Sequence, residues 1–193
     1  MNANVGMRYP VYAPITAYVP GTGVTYGNGA ACAEAVSASL QWERADGHFY
    51  GDDVELDSDN SILGYTLSFE PSGLTDAARA ALLGETLTSS EYVITDGAAP
   101  DVGFGYIRVM RKTGSTGVET SYEGWWFHKL KFGVSSEETR TKERNIEWRV
   151  PTLNGVGAGV QLDATGKLTF AKHETFASFS AAQSWLKAIA GIS

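Results

Sequence analysis

Apolar and polar residues alternate along most of this chain. Val36, Ala38, Leu40 and Trp42 are separated by Ser37, Ser39, Gln41 and Glu43, the signature of a half-buried strand. Leu63, Tyr65, Leu67 and Phe69 repeat the pattern. Between them lies an acidic version of it, with Asp53, Glu55, Asp57 and Asp59 at every second position and Val54 and Leu56 in the gaps. In a regular strand, residues two apart share a face, so these four carboxylates are expected to form one stripe. Turn chemistry at Asp46–Gly47 and at Asp59–Asn60 predicts chain reversals at both places. Further strands are expected at 91–95, 103–112, 119–132, 145–153 and 167–173. In the fourth of these, Ile146, Trp148 and Val150 oppose Asn145, Glu147 and Arg149.

Two segments carry a helical period instead. Residues 75–83 have Thr75 or Ser72 to accept N–H bonds at the start and Asp76 in the first turn, place Leu74, Ala78, Ala81 and Leu82 on one side, and end before Gly84. Near the C-terminus Ser180 and Gln183 have capping-box spacing, and Trp185, Leu186 and Ile189 form an apolar stripe. Gly155, Gly157 and Gly159 predict a mobile loop, and 135–144 (SSEETRTKER) a polar one. The first 32 residues, with Pro10, Pro14, Pro20 and a glycine-rich 21–29, read as an extended arm preceding a single domain over 33–193. The arm is either a free end or a clasp that orders on a neighbour, and Tyr9, Tyr12 and Tyr18 favour docking. The elements together predict a mainly β fold: a sandwich or partly open barrel with one short helix packed on the sheet and a second helix at the C-terminus.

A chain of 193 residues that is 43% hydrophobic can build one such core. The N-terminal sequence lacks a basic start followed by an apolar run and predicts no secretory signal. Charge adds an asymmetry. Residues 1–78 hold ten acids against Arg8 and Arg44, while the remainder is nearly balanced. Phosphate binding needs lysines and arginines, so the acidic half points to subunit pairing or to a surface that repels nucleic acid.

Candidate chemistry changes little. His48, His128 and His173 have no metal-type spacing, and the single Cys32 forms no motif. Residues 57–61 resemble the start of a calcium loop, but Ile62 stands where glycine is needed and Ser68 where glutamate is. Neither a nucleophile elbow nor a dinucleotide loop is present. No catalytic residue, cofactor or metal is assigned. A β-rich hydrolase would need two carboxylates converging in a pocket, which acids on one strand do not supply. A carbohydrate-binding β-sandwich would rest on the tryptophans. Of Trp125 and Trp126, neighbours on a strand, only one can line a surface.

The segment GDDVELDSDNSILGYTLSFEPSGLTDAARAALLG (51–84), with PDVGFGYIRVMRK (100–112), NIEWRVP (145–151) and a C-terminal Phe/Trp/Leu helix after a short strand, resembles the major tail proteins (tail tube proteins) of long-tailed bacteriophages. The likeness runs in order over most of the chain. It implies a non-catalytic virion protein, assembled in the host cytoplasm as hexameric rings that stack into a tail tube. Its implied partners are further copies of itself, a tape-measure protein, tail-tip and tail-terminator proteins, and phage DNA that passes through unbound. Under that reading Asp53, Glu55, Asp57 and Asp59 supply lumen or ring-stacking carboxylates. Tyr12, Tyr18, Arg140, Lys142 and Arg144 are the inter-subunit candidates.

Overall fold

A computed structural model describes residues 2–32, 34–52, 54–88, 91–94, 97–114, 117–136 and 150–192. Among these residues the protein is mainly β, with two helices and an open antiparallel sheet. In chain order the first strands are β1 (Asn2–Val19), β2 (Gly23–Tyr26), β3 (Ala30–Ala31), β4 (Ala35–Arg44), β5 (Gly47–Gly51), β6 (Val54–Asp59) and β7 (Ile62–Pro71). After α1 (Asp76–Leu83) come β8 (Thr86–Thr88), β9 (Glu91–Val93), β10 (Val102–Gly114) and β11 (Gly117–Ser136). The chain closes with β12 (Thr152–Gly157), β13 (Val160–Gln161), β14 (Leu168–Thr169), β15 (Ala171–Phe176) and α2 (Phe179–Ala190).

The main sheet runs β2-β1-β10-β11-β12-β7-β4. The long strand β11 organises it. One edge pairs with β10, from Val102↔Leu130 to Gly114↔Gly117. The other edge is shared, by β15 over Tyr122–Phe127 and by β12 over Leu130–Ser136. Alternation along β10 and β11 feeds two cores. Phe104, Tyr106, Phe127, Leu130 and Phe132 point to one face, where they meet Tyr65, Leu67, Phe69 and the α1 residues Ala78 and Leu82. Ile107 and Trp126 point to the other, where Val11 and Ala13 of β1 meet Ala182, Leu186 and Ala190 of α2.

The first 32 residues are extended as expected, but they are not an arm set apart from the domain. β1 pairs with β10 from Asn2↔Lys112 to Pro14↔Val102, and Val11, Tyr12 and Ala13 are buried. The prolines fit because the ladder steps around them. The register shifts between Arg8 and Val11, Tyr9 takes a left-handed φ of 53°, and Pro10 turns its carbonyl to the amide of Cys32 (2.9 Å). Cys32 is buried, which pushes its thiol up to about 12.

Helix α1 is as the sequence predicts. The Thr75 hydroxyl accepts from the Ala78 amide, and Gly84 closes the helix at φ 74°. At α2 the cap is Ser178, not Ser180, and the stripe that reaches full burial is Ala182, Leu186 and Ala190. Trp185 and Ile189 pack along its flank. The glycine loop is also corrected. Gly155 and Gly157 lie inside β12, between β11 and β7. A Cβ at Gly157 would overlap the buried ring of Tyr65, so this glycine makes room for an aromatic crossing the strand.

Candidate interaction surface

The turn-forming pairs Asp46–Gly47 and Asp59–Asn60 do not reverse the chain; they face each other. β4 pairs with β7 from Ala35↔Pro71 to Arg44↔Ile62, and the amide of Ala45 continues the ladder to the Ser61 carbonyl (2.8 Å). β5 then pairs with β6 from Gly47↔Asp59 to Gly51↔Val54. The two pairs form one continuous ribbon that reverses only at its far end, where Asp52 adopts φ 50°. The side chain of Asp59 satisfies the Ser61 amide locally (2.9 Å), so its turn chemistry interrupts the ladder between β6 and β7 without reversing the chain. At 3.3 Å per residue, the part beyond Arg44 extends roughly 25 Å.

That outer ribbon is exposed along its length. Phe49, Tyr50, Val54 and Leu56 each remain 60–65% accessible, unusual for side chains of this size. Asp46, Asp52, Glu55, Asp57 and Asp59 share the surface with them, and no lysine or arginine occurs between Arg44 and Arg79. The ribbon is therefore anionic and apolar at once.

The expected single stripe of carboxylates is broken. Phe49 pairs with Asp57 but Tyr50 pairs with Glu55, so Leu56 is an extra residue, a β-bulge. The bulge inverts the face parity of everything beyond it. Asp57 and Asp59 stay together on the Phe49 side. Glu55 moves to the His48 side, where its Oε1 lies 2.8 Å from His48 Nδ1. On the same ring, Nε2 lies 3.0 Å from Asp46 Oδ1. Asp53 falls outside the described residues, as do Arg140, Lys142 and Arg144.

Of the tyrosines expected at a subunit contact, Tyr12 is a core residue, opposite Phe104, with its hydroxyl shifted upward by burial and then by Cys32. Tyr18 is half-buried. Its hydroxyl accepts from the Gln161 amide (3.0 Å), and the Lys129 ammonium sits 5.5 Å from its ring centre. Both are occupied within the chain, because β1 is built into the sheet.

A second surface was not singled out in the sequence. Across β4, β7 and β12 the register lines up Ser39, Ser68 and Asn154 in one row and Gln41, Thr66 and Val156 in the next, followed by Gly133 and Lys131 on β11. The intervening rows, Leu40–Leu67–Gly155 and Trp42–Tyr65–Gly157, face the core. The outer face thus presents the hydroxyl and amide side chains of Ser39, Gln41, Thr66, Ser68 and Asn154, with the exposed Val156 and Lys131 set among them. The alternation of serines in β4 was the legible part of it. The rows exist only through the pairing with β7 and β12.

The other candidates resolve into packing. Trp126 is fully buried, and its Nε1 donates to the Tyr26 hydroxyl (3.1 Å). That hydroxyl lies 3.0 Å from His128 Nδ1, and burial pushes the phenol up to about 12. His128 is itself buried, and burial, with Lys172 nearby, lowers it to about 4. Trp125 lies between the Arg108 guanidinium of β10 (4.3 Å) and the His173 imidazole of β15 (4.6 Å, near parallel), so its ring faces are taken. Trp42 meets Tyr65 and Phe170, and Trp185 meets Phe176. The described tryptophans offer no free stacking platform for a sugar. Among the described residues no group of three or more His, Cys, Asp or Glu is placed to hold a metal, and no helix is long and apolar enough to cross a membrane. No protein-family model and no curated protein sequence matches the chain.

Proposed function

We propose that this chain is a structural, non-catalytic protein that assembles with copies of itself into stacked hexameric rings, forming the tail tube of a bacteriophage. The observation that carries the reading is the outer β5–β6 ribbon, which holds four large apolar side chains and a set of carboxylates out in solvent. A monomer gains nothing from such an element, whereas a neighbouring copy that covers it recovers the apolar area. In this reading the ribbon, with Asp57, Asp59 and Glu55, joins one ring to the next. The open edge of β4 is closed by an adjacent subunit in the same ring.

The serine, threonine, glutamine and asparagine rows of β4, β7 and β12 are then assigned to the channel wall. They suit a conduit because they carry few cations: phosphate is held by lysine and arginine, and Lys131 is the basic member of these rows. DNA and a tape-measure protein would pass such a wall without lodging on it. Tail-tip and terminator proteins would cap the two ends, and the protein would reside in the virion.

Negative-stain microscopy and sedimentation of concentrated protein test this. Rods or rings of uniform diameter are expected, and a variant with residues 46–60 replaced by a short turn should stay monomeric. Monomer at every concentration, with the ribbon as open to protease as in dilute solution, overturns the reading.

A further inference from the structure

The β5–β6 hairpin contains an imidazole with both ring nitrogens committed to carboxylates. His48 Nδ1 faces Glu55 Oε1 at 2.8 Å, and Nε2 faces Asp46 Oδ1 at 3.0 Å. A carboxylate only accepts hydrogen bonds, and a neutral imidazole has a single N–H to give. One of the two contacts is then lone pair against lone pair. The imidazolium has two N–H groups and satisfies both.

We propose that His48 is a proton-operated clasp that ties the two strands of the ribbon together when its ring is charged and loosens them when it is neutral. The two carboxylates come from different strands. Asp46 precedes β5, while Glu55 belongs to β6, so the charged ring spans the ribbon near its waist. The Leu56 bulge builds the site: in an unbroken strand Glu55 would face the Asp57 and Asp59 side, away from His48. The remaining neighbours set the electrostatic surroundings. Tyr50 lies with its ring centre 6.1 Å from the imidazole, Ser58 pairs directly with His48, and Asp57 and Asp59 occupy the opposite face. No lysine or arginine stands within residues 45–78 to compete for the carboxylates. Because Asp46 and Glu55 engage opposite nitrogens, their oxygens diverge, and the trio is a clasp and not a cation site.

The test uses dilute, unassembled full-length protein and so does not depend on tube formation. Amide-exchange protection factors for residues 48–50 and 55–58 are compared at about pH 8 and about pH 5.5. Exposed ion pairs contribute modestly, so protection in the wild type should rise roughly two- to fivefold at the lower pH. His48→Gln and Glu55→Gln should each abolish the rise while leaving protection in β10 and β11 unchanged. Equal wild-type protection at both pH values, or the same rise in His48→Gln, overturns the proposal.

Discussion

Replacing Gly157 with alanine should destabilise this protein far more than one methyl group suggests. The added Cβ would overlap the outer atoms of the Tyr65 ring. That ring cannot step aside. It is 1% exposed, its centre is 5.2 Å from Phe127 and 5.4 Å from Trp42, and its hydroxyl donates to the Lys129 carbonyl at 3.0 Å. Forcing extra volume into a packed core costs about 1–3 kcal/mol. If the ring moves, the hydrogen bond is lost as well, roughly a further 1 kcal/mol. The combined expectation is about 2–4 kcal/mol. At about 2–4 °C per kcal/mol for a chain of this size, the melting temperature should fall by roughly 5–15 °C. Gly133→Ala is the control, because a Cβ there meets nothing within 4 Å. It should change stability by less than about 0.5 kcal/mol. Denaturant midpoints for both variants, with Tyr65→Leu and the Gly157→Ala/Tyr65→Leu pair completing a cycle, decide the matter. If Gly157→Ala matches Gly133→Ala, the account of β12 as a strand hollowed for Tyr65 is wrong. Additive effects in the cycle would say the same.

Three other expectations follow from particular contacts. Phe49→Ser with Leu56→Ser should leave the fold intact but raise the critical concentration for assembly. Burying the exposed portions of both side chains contributes about 2–4 kcal/mol, so the increase should be about thirtyfold or more by pelleting. His128 should make the fold acid-sensitive: its folded value of about 4 lies below the ordinary value near 6.5, so the unfolded chain binds the extra proton first. Stability is then fully present above about pH 6.5 and falls, by up to roughly 3 kcal/mol, as pH drops towards 4; His128→Leu should flatten that part of the stability–pH curve. Thr75→Ala removes the hydroxyl that accepts from the Ala78 amide and should cost about 1 kcal/mol by chemical denaturation.

Elements whose signals are local were legible. The period of two in β4 from Ala38 to Trp42 and in β7 from Tyr65 to Phe69, and the caps of α1 at Thr75 and Gly84, are set by neighbouring residues and survive in the structure, whereas Val36 and Leu63, expected on the same faces, are exposed. Signals that depend on a partner strand misled. Gly155 and Gly157 read as a mobile loop because their reason for being glycine, an aromatic crossing from β7, is remote in sequence. The prolines of β1 argued for an arm because the bulge at Tyr9 that accommodates Pro10 is not written in the composition. Asp46–Gly47 and Asp59–Asn60 carry turn chemistry, yet as direct neighbours in a ribbon they supply a waist instead of two reversals.

The acidic stripe shows most clearly why the candidate surface was only half readable. Its period of two is real in the sequence, but period becomes face only if the strand is regular. One inserted residue, Leu56, is enough to separate Glu55 from Asp57 and Asp59. The separation changes what the carboxylates can do. Four on one face would be a repulsive band suited to a channel lining. Glu55 instead meets His48, while Asp57 and Asp59 share their side with Phe49. An aromatic flanked by two acids on a projecting ribbon favours a contact surface over a lining, because the apolar ring is wasted on a channel full of water and polyanion. Adding the missing regularity tests that logic. Inserting one residue between Phe49 and Tyr50, opposite Leu56, should remove the bulge, restore the single stripe and release His48 from Glu55, so the variant should fold with its two cores unchanged but assemble poorly. Assembly at the wild-type concentration, with the stripe restored, would return the carboxylates to the channel and assign the contact surface elsewhere.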